Sequence, residues 1–339
     1  MSRRLTSEDV ARAAGVSASA VSRAFTPGAS VSADKKERIL RAAAELGYRP
    51  NHMARAVATS RSNVVGLILF NETNRHYPEV LLALSNAFSA FGIRVMLFLL
   101  DDDDEVYATI EHILSYQLDG VVAAAPIPVA SLNQLRAARV PLLFYNRPGA
   151  GEVASVSCDH VASGIAIARF VLGAGHRAVA VIRAYSESSV GHERMLGVEQ
   201  ELARGGATIV ADYRGDFDYD TGVAAVLDWH SRGVEPFSAV IAANDMMAIG
   251  AKDGLVYRIG KRVPDDVIVA GFDGIEAASW LGNRISTVAQ PIEQMSLAAA
   301  AMMVNRIADP TIIAERRMFP GRLIVSQLDG LRTTIAEAG

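Results

Sequence analysis

The sequence predicts two α/β lobes built on parallel sheets, preceded by a small all-α unit. Three observations lead there. The first fifty residues carry three short helical patterns punctuated by Gly15 and Gly47. From Val64 onward, strand-length apolar runs alternate with helical stretches, the pattern of parallel sheets covered on both faces. The charge divides at the same place. Residues 1–61 hold eleven Lys or Arg against five Asp or Glu, a net of +6 on a chain whose total is −4, which leaves −10 for the remainder.

The helical unit follows from local signals, taken in order. Thr6 caps the first helix with Asp9 three residues on, close to a capping box, and Val10, Ala13 and Ala14 share one face. Gly15 ends that helix because it tolerates positive φ. Ser17 caps the second helix, with Ala20 and Val21 turned inward. Ser32 caps a third, whose apolar stripe is Ile39, Leu40, Ala43 and Leu46. Gly47 stops it, and Tyr48-Arg49-Pro50 cannot extend it, since Pro lacks the N–H and restricts the residue before it. Two short helices joined by a Gly-containing turn read as a helix-turn-helix, which lays its second helix in the DNA major groove. A basic head on an acidic body is the matching electrostatic footprint. The DNA-contact candidates are Thr6, Ser17, Ala18, Ser19, Ser22 and Arg23. Ala18 and Ser19 are too short for a bidentate base pair contact, so Arg23 is the strongest candidate for reading guanine.

The run Asp9-Val10-Ala11…Ala14-Gly15-Val16-Ser17…Val21-Ser22-Arg23, followed by Leu46-Gly47-Tyr48-Arg49-Pro50-Asn51…Ala54-Arg55, resembles the LacI/GalR-type bacterial transcriptional regulators. The resemblance extends along essentially the whole chain. It implies a helix-turn-helix DNA-binding domain over 1–50 and a hinge helix and linker over 51–62. It also implies an effector-binding and dimerisation domain over 63–339. An isolated hinge helix of about ten residues is marginal in water and is expected to form fully when two copies pair on DNA. The family's paired hinges enter the minor groove, which makes Asn51, Ala54, Arg55 and Val57 further DNA-contact candidates. The family's usual wedge is Leu; this chain carries the shorter Val57.

In the body, strand-length runs fall at 64–70, 95–100, 120–125, 141–145, 179–182, 239–243 and 268–272. Helical stretches fall at 79–91, 165–172, 195–204 and 246–257. About 280 residues exceed one typical core, so two lobes are expected. The resemblance implies periplasmic-binding-protein-like lobes that the chain crosses three times, near residues 161, 290 and 324. The N-lobe is then about 63–160 and 291–323, and the C-lobe about 161–290 and 324–339.

Ligands of open α/β lobes bind outside the carboxyl ends of strands. Polar residues stand there: Asn146 and Arg147 after 141–145, Asn244 and Asp245 after 239–243, and Asp273 after 268–272. The resemblance implies effector roles for Asn146, Arg147, Asn244 and Asp273, for the cleft arginine Arg194 and the aromatic wall Phe217. It adds His76 and Tyr77 as stacking aromatics, and Gln290. Carboxylates and amides suit sugar hydroxyls, and an aromatic suits a sugar's apolar face. A sugar or sugar derivative is therefore the expected effector; two arginines leave room for an acidic sugar. Alternative readings stand beside these. Asp245 reads as a structural cap of the next helix, Asp273 with Arg194 as an ion pair internal to one lobe, and His76 as a loop residue. Trp280 reads equally as cleft rim or packing residue. His176 reads as part of a helix-ending turn.

Other classes are weaker. Arg3 and Arg4 lead into a polar helix and not an apolar core, so no secretory signal is read, and no run reaches the ~18 apolar residues of a membrane span. One cysteine, Cys158, excludes an intrachain disulfide and reads as a half-buried thiol. The acidic run Asp101–Glu105 suits a solvated helix N-terminus better than a cation site. No cofactor, metal or enzyme motif is evident. The expectation is a cytoplasmic homodimer that binds double-stranded operator DNA, read as a repressor controlled by a sugar effector. The alternatives are a purine- or nucleoside-responsive regulator and a cytoplasmic sugar-binding protein without regulatory role.

Overall fold

The computed structural model describes residues 5–25, 29–49, 61–70, 77–100, 105–147, 153–186, 188–234 and 236–325. The candidates Asn51, Ala54, Arg55, Val57 and His76 lie outside them, as do Asp101–Asp104; Tyr77 is described in its backbone only. The chain divides into two compact units, 1–63 and 64–339.

The first unit contains α1 (Ser7–Ala14), α2 (Ala18–Ala24) and α3 (Ala33–Leu46). The Asp9 carboxylate accepts from the Thr6 N–H and the Thr6 hydroxyl, both at 2.9 Å. Gly15 sits at φ 61° and closes α1, and Ser17 caps α2 by accepting from the Ala20 N–H at 3.3 Å. Arg38 of α3 donates to the Ala14 carbonyl at 2.9 Å, a cation satisfying the end of α1. The core is Val10, Val21 and Ile39 among small alanines, edged by Phe25 and Tyr48. Two details differ from the sequence pattern. Ala11 is buried in place of Ala13, and Ala42 takes the place of Leu40 and Leu46 in the α3 stripe. The contacts among the three helices are made mostly through alanines, and Leu40 and Leu46 fall outside them.

The second unit holds two six-stranded sheets. The first uses β1 (Val64–Phe70), β2 (Arg94–Leu100), β3 (Gly120–Ala123), β4 (Leu142–Tyr145), β5 (Ala154–Cys158) and β11 (Arg316–Phe319), in the order β11-β5-β4-β3-β1-β2, all parallel. The second uses β6 (Ala178–Arg183), β7 (Thr208–Arg214), β8 (Ala239–Ala242), β9 (Ile268–Asp273), β10 (Ser286–Ala289) and β12 (Arg322–Ile324). Its order is β12-β10-β9-β8-β6-β7, parallel except for β12.

The helices beside the first sheet are α4 (Tyr77–Ser89), α5 (Glu105–Ser115), α6 (Val129–Ala137) and α12 (Ile292–Ala308). β1 shows why both faces are covered: Val65, Leu67 and Leu69 join the α4 and α12 core, while Ile68 joins the α5 core on the other face. The second lobe carries α7 (His160–Gly173), α8 (Ser189–Arg204), α9 (Tyr219–Ser231), α10 (Asp245–Asp253), which continues as a π-helical turn over Gly254–Ile259, and the short α11 (Glu276–Ser279).

The chain passes between lobes after β5, after β10 and between β11 and β12. The third passage falls at Pro320-Gly321, slightly earlier than 324, because β12 already belongs to the second sheet. Strands β5, β7, β10, β11 and β12 had no counterpart among the apolar runs. β5 and β10 carry buried serines and a threonine, Ser155, Ser157, Ser286 and Thr287, so they are buried without being apolar. Cys158, expected to be half-buried, is 2% exposed at the end of β5 for the same reason. Among the described residues, no helix is long and apolar enough to cross a membrane.

Candidate functional site

In the second lobe, Val181 of β6 pairs with Ile241 of β8, and Ile241 with Ala270 of β9. The carboxyl ends of the central strands therefore finish close to level. There Arg194 and Asp273 meet. The Arg194 Nη2 donates to Asp273 Oδ1 at 2.6 Å, and its Nη1 donates to the Ala243 carbonyl at 2.7 Å. Gln290 Nε2 donates to the same Asp273 oxygen at 2.7 Å. Both charged residues are nearly inaccessible, 2% and 3% exposed, and the guanidinium lies 5.2 Å from the Phe272 ring centroid. A charge pair buried this far holds only because hydrogen bonds complete it.

Two glycines bring Arg194 into place. A Cβ on Gly164 of α7 would stand 2.2 Å from the Arg194 carbonyl oxygen, and one on Gly197 of α8 would stand 2.1 Å from the Val161 carbonyl oxygen. Only bare backbone at both positions lets α7 and α8 approach this closely, so the first turn of α7 reaches the Arg194 side chain. His160, the first residue of α7, accepts at Nδ1 from Arg194 Nε at 3.4 Å, and its Nε2 meets Asn146 Oδ1 at 3.0 Å. Asn146 follows β4 in the first lobe. One hydrogen-bonded series thus runs Asn146–His160–Arg194–Asp273–Gln290 across two lobes. Burial, and then the neighbouring guanidinium, hold the His160 pKa well below its usual value.

Asn244 is used at both ends. Its Oδ1 caps α10 by accepting from the Met247 N–H at 2.9 Å, and its Nδ2 donates to the Phe217 carbonyl at 2.7 Å. The Phe217 ring stands edge-on to Tyr185 at 5.7 Å. Asp245 does not cap α10; Asn244 does. Asp245 is fully buried and its Oδ2 accepts from the Gly274 and Ile275 N–H groups at 2.7 and 3.0 Å, which fixes the turn after β9. Burial, and then the Asp273 charge, push its carboxyl well above the usual range.

Backbone strain marks the same places. Asn146, Phe217 and Asp273 have φ of 53°, 63° and 111°. A non-glycine residue held in that region costs of order 1–3 kcal/mol and persists where its surroundings over-determine it, most often at binding sites. Arg147 is half-buried beside Asn146. Candidates up to 96 positions apart, Arg194 to Gln290, are in this way joined at one end of the second sheet, together with Asn146 from the first lobe. His160 and Tyr185 belong with them although the sequence reading did not nominate them, and Asp245, named there at a strand end, fixes the turn beside them. An Asp-capped helix start directly after a strand, Asp159-His160, is the signal that would have pointed to His160.

The chain as a whole is similar to known proteins. Residues 6–51 match the model of bacterial regulatory proteins of the lacI family, and residues 168–327 match a periplasmic binding protein-like domain. The chain is 31% identical to the HTH-type transcriptional regulator CelR of Thermobifida fusca, over 96% of its own length and 98% of that protein. The chain belongs to the LacI family of bacterial regulatory proteins. Another LacI-family relative, the ribose operon repressor of Escherichia coli (strain K12), is 27% identical over 92% of this chain and 96% of its own length. Among solved structures, a CelR–cellobiose complex superposes with a TM-score of 0.73 at 29% identity, covering 96% of this chain and 99% of that one. A lac repressor dimer bound to operator and the anti-inducer ONPF gives 0.87 at 23% identity with the same coverage, a likeness of fold.

Within the lacI-type segment, Thr6, Ser17, Ala18, Ser19, Ser22 and Arg23 are all exposed, while Ala20, Val21 and Ala24 face the core. α2 therefore offers a contiguous outer face of small and hydroxyl side chains ending in one arginine.

Proposed function

We propose that the chain is a cytoplasmic transcriptional repressor and not an enzyme. In this reading a homodimer binds two-fold-symmetric operator DNA through α2 and the hinge, and a sugar in the cleft controls its affinity. The observation that carries it is one chain holding both an exposed α2 face inside a lacI-type segment and a buried Arg194–Asp273 pair, joined by Gln290, at strand carboxyl ends. The +6 charge over residues 1–61 supplies the attraction to phosphate. On the DNA side, Thr6, Ser17 and Ser22 serve phosphates, Ala18, Ser19 and Arg23 face bases, and Asn51, Ala54, Arg55 and Val57 follow the minor groove.

On the effector side, Asp273, Asn146, Arg147, Arg194 and Gln290 serve hydroxyl and ring oxygens. Phe217, with His76 and Tyr77, supplies the apolar wall, and Asn244 holds Phe217 in place. The cellobiose and ribose named for the relatives favour a sugar. The apolar Val190, in the first turn of α8 just before Arg194, speaks against a nucleobase.

The domains this implies are 1–50 for DNA, 51–62 for the hinge and 63–339 for sensing and dimerisation. Fluorescence anisotropy of the full chain on a duplex recovered by binding-site selection tests it, with cellobiose, ribose, glucuronate and hypoxanthine added in turn. One sugar should change operator affinity by about 5–150-fold. A response to hypoxanthine alone would favour the purine reading, and failure to select any duplex would overturn the regulator reading.

A further inference from the structure

The Asn146–His160–Arg194 series has a property that its distances alone do not state: every proton in it is determined. An arginine Nε–H can only donate, so His160 Nδ1, 3.4 Å away, must be a bare acceptor. The Cys158 backbone N–H can also only donate, and it donates to Asn146 Oδ1 at 3.4 Å. The same oxygen faces His160 Nε2 at 3.0 Å. Turning the amide over would set its NH2 against the Cys158 N–H, and moving the imidazole proton to Nδ1 would set it against the Arg194 N–H. Both changes leave buried donors facing donors, which costs more than a missing bond. One arrangement remains: neutral imidazole, proton on Nε2, Asn146 oxygen toward His160. The groups around the ring agree. Arg194 disfavours a second cation, and the nearest carboxylate in the series, Asp273, is already held by Arg194 and Gln290. Burial keeps the imidazole uncharged at neutral pH.

The consequence is chemical selectivity. With Oδ1 committed to His160 and Cys158, the half-buried Asn146 has only its NH2 to offer on the other side. We propose that His160 is a positioning residue of the effector site, locking the Asn146 amide so that this position recognises an acceptor oxygen of the sugar, while steadying Arg194 against Asp273. Asn and Asp at position 146 are then not interchangeable, although both are short and polar. The proposal rests on reading this cleft as the effector site, and deepens it by assigning the polarity of one contact.

Two arms test it. The first needs no ligand. The imidazole nitrogens of the full-length protein, labelled with 15N-histidine, are recorded from pH 8 to 6, and the His160 signals are assigned by their loss in His160→Gln. His160 should remain neutral with its proton on Nε2 throughout; an Nδ1–H tautomer or a cation in that range overturns the proposal. The second arm uses the sugar identified by anisotropy, measured by calorimetry. His160→Leu should bind it roughly ten- to a hundredfold more weakly, as expected when a buried polar contact is left unmet. His160→Gln, which can accept at Oε1 and donate at Nε2, should recover most of that loss. Asn146→Asp should weaken binding at least about tenfold, because a carboxylate oxygen would then face the ligand oxygen. Full affinity in Asn146→Asp, or equal losses in His160→Leu and His160→Gln, overturns the proposal. Should no sugar bind at all, the sugar reading fails and the first arm still decides the locked geometry.

Discussion

The three-helix unit and the cleft of the second lobe are held together in opposite ways. In the unit, the caps and turns that define the helices are local: Thr6 with Asp9, Ser17 with Ala20, Gly15 at φ 61°. Among the described residues a longer polar tie joins Arg38 to Ala14, and Val10, Val21 and Ile39 are buried among alanines. In the cleft, partners come from distant sequence: Arg194 with Asp273, Asn146 with His160, Asn244 with Phe217. They rest on a core containing Trp229, Phe272 and four central strands. The unit is cheap to fold and small enough to be marginal. In the cleft, the strained backbone at Asn146, Phe217 and Asp273 is held by the sheet and hydrogen bonds around it.

That contrast can be broken most sharply at Asp273. Asp273→Ala leaves Arg194 buried and uncompensated, so it should cost about 3–5 kcal/mol of body stability and abolish the sugar response as well. The melting temperature of the body, followed by calorimetry, checks this. An undiminished melt would show that Arg194 finds another anion or water. In the small unit, Ile39→Ala should cost about 2–5 kcal/mol, enough to unfold it at ordinary temperature. Circular dichroism should then show loss of some helix while the body melts as before, and anisotropy should show loss of operator binding. A single shared shift would mean that the two units unfold together.

Arg23→Ala should weaken operator binding by about 1–3 kcal/mol and relax preference at one base position per half-site. Equal losses on selected and random duplexes would make Arg23 a phosphate contact instead. The smallest effect concerns Asp245. Its folded-state pKa is raised, so the native protein binds this proton more tightly than the unfolded chain does. The stability it contributes is complete below the unfolded value of about 3.9 and is lost as pH rises through the folded one. Asp245→Asn should flatten the fall in melting temperature on that alkaline-going limb. An unchanged pH profile would show that Asp245 is ionised in the native state.

The same contrast explains what could be read from the sequence. Caps, turns and the apolar runs of β1, β3, β4, β6, β8 and β9 are encoded within a few residues, and so they were legible. β5 was not, because its buried serines carry no hydrophobic pattern. Leu40 and Leu46 misled because helix spacing places them near the stripe, while the alanine-rich contact leaves them outside it. Asp273 and Asn146 stand out by resemblance and by their position at strand ends, Arg194 by resemblance alone; that Asp273 and Arg194 form an ion pair is an alternative that only the fold decides. His160 escaped because its role depends on the Gly164–Gly197 crossing of α7 and α8, a contact between residues 33 positions apart. Nothing in its own neighbourhood records that Arg194 will stand beside it.

The central claim is that the cleft and the DNA-reading unit share one free energy. The most direct measurement is a closed cycle on the full-length protein. Operator affinity is measured with and without saturating sugar, and sugar affinity with and without saturating operator. The account predicts that both ratios equal the same factor, as linkage requires, within about 5–150-fold. A sugar that binds in the cleft and leaves operator affinity unchanged would contradict it.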